Sequence, residues 1–115
     1  MKKLIVVLVL LSATGVFGQN KNSKATIIVD GVCGMCETRI EKASLNTKGV
    51  KSAEWDVKTH ELKLIFNEKK TDLLTIHKSI AAVGHDTDKI KATDKAYNSI
   101  HNCCKYRDEE VRKAH

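Results

Sequence analysis

Two cysteines three positions apart are the residues of this chain best suited to chemistry. Cys33 and Cys36 follow an apolar run, 25–29, and precede a helical pattern. A turn between a strand and a helix places both thiols near a helix N-terminus. Backbone N–H groups and the helix dipole favour anionic sulfur there, so we expect the pKa of both thiols to fall. Paired thiolates at an exposed turn either hold a soft metal ion or cycle through a disulfide.

Metal binding is the chemistry that this spacing favours. One thiolate in the loop and one in the first helical turn can reach the same ion. The resulting near-linear two-sulfur site suits soft ions, Cu(I) before Ag(I) and Hg(II). Zn(II) fits this turn less well than a soft ion, because a closed zinc site needs four ligands and the turn supplies two. A redox motif normally has an aromatic residue before the first cysteine and a proline elsewhere. Here Val32 precedes Cys33 and the chain contains no proline.

A second pair, Cys103 and Cys104, lies near the C-terminus beside His101. Neighbouring side chains point apart, so we do not expect these two cysteines to share one ion well. One of them could act with His101, or join the first pair if the tail folds back. The alternatives are a disulfide between chains and a bond to Cys33 or Cys36.

The elements that must position these residues follow from periodicity. The segment 25–30 is rich in β-branched residues and predicts a strand, while 36–47 keeps helical spacing and ends at Gly49. Alternation over 50–57 and 61–66 predicts a hairpin, and a second helix lies between a Thr71 cap and Gly84. A last short strand is expected within 85–92. The predicted core comprises Trp55, Leu62, Leu64, Phe66, Leu73, Ile76 and Ile80.

The predicted order is strand, helix, strand, strand, helix, strand. This is the α+β, ferredoxin-like βαββαβ arrangement, a four-stranded antiparallel sheet with two helices on one face. Residues 93–115 form a tail that has too few apolar residues for its own core. The tail therefore either docks on the domain or moves freely, and 93–100 has the pattern of a short helix.

The first residues have the pattern of an export signal. Met1–Lys3 is charged, Leu4–Leu11 is apolar, and cleavage is expected after Gly18. A loose polar segment, 19–24, would follow. An uncleaved membrane anchor is the alternative, but the apolar run is shorter than the ~20 residues of a membrane span. We therefore expect a periplasmic or secreted protein with no stable membrane insertion.

Composition narrows the class of partner. The chain has 115 residues, a formal charge of +6 and an aromatic content of 4%. Basic and acidic residues are interspersed and no basic–aromatic stripe is present, which argues against nucleic acid as a partner. We expect a monomer with one small domain.

The strand–Gly-x-Cys-x-x-Cys–helix pattern, with Ile40 and Ala43 on the helix, resembles the heavy-metal-associated domain family over about 25–92. That family includes copper chaperones, domains of metal-exporting P-type ATPases and periplasmic mercury-binding proteins. The turn 83–86 is similar to a family segment that faces the metal loop. The resemblance therefore places His85 opposite the cysteines, as a third ligand, a hydrogen-bond donor to sulfur, or an exposed turn residue.

The chain departs from the family pattern in the loop. Only Val32 separates Gly31 from Cys33, so the loop is one residue shorter and lacks the family's buried methionine. Met35 lies between the cysteines instead. Some zinc-transporting members carry an aspartate directly before the first cysteine. The apolar Val32 at that position favours a soft ion.

The sequence thus predicts a non-enzymatic, exported metallochaperone or scavenger. It would hold one soft ion, most simply Cu(I), through Cys33 and Cys36 and pass it on by thiolate exchange. The expected partner is a metal-transporting membrane protein or another metal-binding domain. The alternatives are periplasmic capture of Hg(II) and, in a different class, a thiol–disulfide oxidoreductase.

Overall fold

A computed structural model describes residues 20–115, and the predicted signal peptide lies outside the described residues. Three strands form one antiparallel sheet in the order β1-β3-β2. They are β1 (Ser23–Ile28), β2 (Val50–Trp55) and β3 (Glu61–Phe66). The sequence pattern located β3 correctly, whereas β1 begins two residues before the predicted strand. Asp56 ends β2 early, because its carboxylate accepts the Lys58 N–H at 2.7 Å and starts a turn.

The helices are short and follow the sheet elements in the predicted order. They are α1 (Gly34–Leu45), α2 (Leu73–Ala82), α3 (Asp94–Asn98) and α4 (Glu109–Lys113), with a 3-10 turn at Asn102–Cys104. The N-cap of α2 is Asp72, whose carboxylate accepts the Thr75 N–H at 2.8 Å; the predicted Thr71 cap was wrong by one residue. No helix within residues 20–115 is long and apolar enough to cross a membrane.

The ferredoxin-like α+β class is confirmed, with one correction. The predicted fourth strand, 85–92, is reduced to a single bridge between Thr87 and Val29. The Thr87 hydroxyl accepts the N–H groups of Lys89 and Ile90 at 3.2 and 3.0 Å, and the Thr87 N–H donates to the Ile90 carbonyl. This side-chain-stabilised turn uses backbone groups that a strand would need, so the sheet stops at three strands.

The core lies between the buried face of the sheet and the helices. Six of the seven predicted core residues are buried, and Leu73 is partly buried against them. The same cluster contains three residues of the tail: Ile100, Cys104 and Tyr106. The tail is therefore docked, and it brings the second cysteine pair towards the first.

Candidate metal centre

The first cysteine pair sits where β1 leads into α1. Cys33 is the N-cap of α1 and is partly exposed, while Cys36, in the first helical turn, is fully buried. The loop lies directly on Trp55. A Cβ at Gly31 would be 2.9 Å from the Trp55 ring, so only glycine allows this approach. The Trp55 indole N–H donates to the Val29 carbonyl at 3.0 Å and holds the loop in place.

The tail adds thiols to this pair. Cys33 Sγ lies 3.4 Å from Cys36 Sγ and 3.2 Å from Cys104 Sγ. The sulfurs of Cys33, Cys103 and Cys104 all lie within 4.8 Å of one another. The Cys36 thiol also donates to the Cys104 carbonyl at 4.0 Å. All four cysteines are free thiols, and together they form one group, which we call the sulfur cluster.

The adjacent tail cysteines do not point apart as the sequence predicted. Cys103 and Cys104 lie in the 3-10 turn, and their sulfurs are 3.9 Å apart. Cys104 is fully buried, whereas Cys103 is exposed and its thiol contacts Met35 Sδ at 3.6 Å. A tight turn therefore places both side chains on the same cluster.

Two tail residues beyond the cysteines fasten the turn to the domain. The Tyr106 hydroxyl donates to the Gly84 carbonyl at 2.7 Å and accepts the Asp86 N–H at 2.8 Å. Arg107 makes a two-pronged ion pair with the Asp86 carboxylate, at 2.7 and 3.1 Å. Burial raises the pKa of Asp86, but Arg107 and the Ala92 N–H outweigh it, so that pKa lies below its usual value.

A glycine makes room for the docked tail. Gly84 has a φ of +105°, a region that favours glycine. A Cβ at this position would lie 2.6 Å from Ile100 and 2.8 Å from the Ala96 carbonyl. Gly84 therefore both ends α2 and lets α3 with its following residues pack against the domain.

The thiols differ in their tendency to ionise. Burial raises the pKa of Cys33, but hydrogen bonds from Cys104 and from the Cys36 backbone and thiol outweigh it, so the pKa is lowered. Burial raises the pKa of Cys36 and of Cys104. The hydrogen bonds that Cys104 makes with Cys33 and Cys36 raise the pKa of Cys104 further. The prediction of two low-pKa thiols is thus right for Cys33 and wrong for Cys36. The thiol with the lowered pKa therefore lies between two thiols whose pKa is raised.

His85 is fully buried, and both of its ring nitrogens are engaged. Nδ1 donates to the Asp30 carbonyl at 2.8 Å, and Nε2 accepts from Arg39 at 3.1 Å. The ring stacks on Tyr106 with centroids 5.4 Å apart. Burial lowers the pKa of His85 to about 4, so the ring is neutral. His85 therefore supports the tail and orients Arg39; it is not the exposed turn residue of the sequence-based alternatives.

The remaining predicted ligand, His101, is exposed and lies outside the three-sulfur group that the structure identifies. Its carbonyl accepts the Cys104 N–H at 2.9 Å, so it shapes the 3-10 turn with its backbone. Sequence reasoning missed Tyr106 and Arg107 as anchors. The only signal for them was an aromatic and a basic residue close behind the tail cysteines.

Several solved structures are similar to this chain. The CopZ metallochaperone is 26% identical, with 56% of this chain and 98% of that chain covered at a TM-score of 0.55. Oxidized MerP from Ralstonia metallidurans CH34 is 24% identical, with coverages of 58% and 94% and a TM-score of 0.56. The N-terminal domain of the zinc(II) ATPase ziaa in its apo form is 27% identical, with 70% and 79% covered at 0.51. Among curated protein sequences there is no significant match.

A family model gives the more specific result. Residues 26–86, more than half of the chain, match the heavy-metal-associated domain. The matched segment contains the Cys33–Cys36 loop and ends at Asp86, the residue that anchors the tail. The sheet, the cysteine loop and this match agree, and the chain belongs to the heavy-metal-associated domain family.

Proposed function

We propose that this protein is a carrier of a soft metal ion, Cu(I), held by Cys33, Cys36 and Cys104. The observation that supports it most is the position of Cys33 Sγ, 3.4 Å from one partner sulfur and 3.2 Å from the other. With metal–sulfur bonds of about 2.3 Å, sulfurs around a three- or four-coordinate ion lie about 3.8–4.0 Å apart. Each of these two distances would have to increase by only about half an ångström to match that geometry. A linear two-sulfur site would require a wider opening.

The ligand types favour a soft, monovalent ion. Thiolates select Cu(I) over hard cations, and Val32 offers no oxygen ligand beside Cys33. Solved relatives of this fold include a CopZ metallochaperone and a copper binding domain from a P-type ATPase. We infer a similar exchange here, with a metal-transporting membrane protein or another metal-binding domain as partner.

Transfer proceeds by ligand substitution without a change of oxidation state. An acceptor thiolate forms a bond to the ion, and one of the carrier's sulfurs leaves with its electron pair and takes up a proton from water. Repetition moves the ion completely. Cys33 is the sulfur at which this substitution starts, because it is partly exposed while Cys36 and Cys104 are buried. No substrate is chemically converted, so we propose a carrier rather than an enzyme.

An anaerobic titration of the reduced protein with Cu(I), against a chromophoric chelator, tests the proposal. We expect tight uptake by the wild type and a loss of at least ~100-fold in affinity, ~2.7 kcal/mol, in Cys33→Ser. Thr38→Ser, an exposed change in the same helix, is the matched control and should bind like the wild type. Absence of stoichiometric uptake by the wild type would refute the carrier.

Hg(II) capture is the second candidate, because the structure is also similar to MerP. Hg(II) and Cu(I) should displace each other from the same sulfurs, and their relative affinity against a common competitor distinguishes the two. A thiol–disulfide oxidoreductase is the third, since Cys33, whose pKa is lowered, lies 3.4 and 3.2 Å from two further thiols. Insulin reduction that persists without metal binding would favour it.

We also propose export, from the signal-like segment 1–18. The mature protein isolated from the periplasm or medium should begin at Gln19, as measured by intact mass. Retention of the full-length chain in the cell would contradict this.

A further inference from the structure

The sulfur cluster extends further than the three thiols assigned to the first ion. Cys103 Sγ lies 3.9 Å from Cys104 Sγ and 3.6 Å from Met35 Sδ. Together with the contacts of Cys33, five sulfurs follow one another from the buried Cys36 to the exposed Met35, with neighbouring distances of 3.2–3.9 Å.

We propose that Cys103 and Met35, sharing Cys104, form a second soft-metal position at the surface, so that one chain takes up two ions. The inference rests on the proposed function for the inner ion. It adds an outer position with its own ligands and its own selectivity.

The outer ligands suit Cu(I) or Ag(I). A thioether carries no proton and no charge, and it is a good ligand only for soft ions. A thiolate sulfur has further lone pairs after it binds one ion, so Cys104 can bridge two. A harder ion such as Zn(II) gains little from Met35, so the outer position discriminates against zinc more strongly than the inner one.

Packing does not explain the placement of Met35. Its side chain is 45% exposed, in the first turn of α1, and it is not part of the core cluster. The backbone of Cys103 has a contact on its other side, because its carbonyl lies 3.1 Å from the imidazole Nε2 of His115. Two exposed sulfurs from segments 68 residues apart therefore meet above a buried thiol.

The outer position gives the carrier an entry step. Cys36 and Cys104 have no exposed surface and Cys33 is only partly exposed, so the exposed Cys103 and Met35 are the sulfurs that an incoming ion reaches most readily. Cys103 and Cys104 bind the ion and their thiol protons go to water. The ion then moves inward while its bond to Cys104 is kept: Cys33 and Cys36 bind as thiolates and give up any thiol protons to water, the bonds to Cys103 and Met35 break, and the Cys103 sulfur leaves with its electron pair and takes up a proton from water. The oxidation state is unchanged throughout.

Native mass spectrometry of the full mature chain during an anaerobic Ag(I) or Cu(I) titration tests the proposal. We expect two ions per wild-type chain and one in Met35→Leu and in Cys103→Ser. Met35→Leu keeps the size and apolar character of the side chain. Leu45→Met, which adds an exposed methionine at the other end of α1, is the matched control and should leave both affinities unchanged.

A second readout reports the thioether directly. The Met35 methyl resonance of labelled protein should shift as the outer position fills, and it should not shift with Zn(II). One ion per wild-type chain, or two in both variants, would overturn the outer position while leaving the inner carrier intact. No uptake in any variant would refute the carrier as well.

Discussion

Cys33 differs from the thiols beside it in the direction of its pKa shift, and the raised pKa values of those neighbours make metal binding depend on pH. It carries the lowered pKa, while burial raises the pKa of Cys36 and of Cys104. An ion that binds all three must displace the protons of the two buried thiols. Acid therefore favours release of the ion.

The number of displaced protons is measurable. Near neutral pH the logarithm of the apparent Cu(I) affinity should rise with pH in both proteins, and the slope should be smaller by about one per pH unit in Cys104→Ser than in the wild type, because one buried thiol fewer gives up a proton. Thr38→Ser, exposed on α1, is the control, since it leaves every sulfur in place. Equal slopes in the wild type and Cys104→Ser would show that Cys104 does not bind the inner ion.

His85 makes stability depend on pH in a different range. Its pKa is lowered to about 4, so the unfolded chain binds the proton more tightly between pH 6.5 and 4. Stability is fully present above pH 6.5 and falls by about 3 kcal/mol as the pH drops to 4. Urea unfolding should show a shallower fall in His85→Phe than in the wild type, with His101→Gln as the exposed control. The buried His77, whose pKa burial also lowers, leaves a residual slope.

Single residues were predictable from sequence where the chemistry was local. The Cys-x-x-Cys pair, its place at a helix start and the role of Gly84 as a helix end followed from spacing and residue type. The raised pKa of Cys36 was not predictable, because it depends on burial of the thiol in the folded chain, which local spacing does not register.

At the level of elements, the docked tail depends on a few contacts around Gly84. Replacing Gly84 by alanine puts a side chain at a φ of +105° and within 2.6 Å of Ile100. We expect a loss of at least ~2 kcal/mol of unfolding free energy, measured in urea. Gly34→Ala is the matched control, because a Cβ there meets nothing within 4 Å. Equal stability of the two variants would mean that the tail does not pack as described.

Removing the Tyr106 hydroxyl is a smaller change to the contact between the tail and the turn at Gly84. Tyr106→Phe leaves the Gly84 carbonyl and the Asp86 N–H without their partner, which should lower stability by about 1–3 kcal/mol. Cu(I) affinity should also fall, because Cys104 is held less firmly. Tyr97→Phe is the control; its hydroxyl accepts only an exposed N–H, that of Arg107, at 3.1 Å. If Tyr106→Phe bound Cu(I) as tightly as the wild type, metal binding would not depend on how firmly the tail is docked.

The elements themselves were largely predictable, since alternation and helical spacing are local signals. The strands β1 to β3 and the helices α1 to α3 appeared within a few residues of their expected places. The fourth strand failed because a threonine hydroxyl competed with the backbone for hydrogen bonds, which alternation does not register.

For the molecule as a whole, the sequence left two alternatives for the tail, docked or free. Docking depends on pairs such as Arg107 with Asp86 and Tyr106 with Gly84. The two members of each pair are far apart in the sequence, and their residue types alone do not indicate that they meet. No periodicity marks them. The structure was needed to show that the two cysteine pairs belong to one cluster.

The separation of Cys33 and Cys104, 71 residues, has a consequence for turnover of the protein. An ion bound by both sulfurs cross-links the loop before α1 to the tail, and its binding free energy adds to the free energy of unfolding. Copies that carry cargo should therefore resist proteases that digest empty copies. Degradation alone would then enrich the loaded protein.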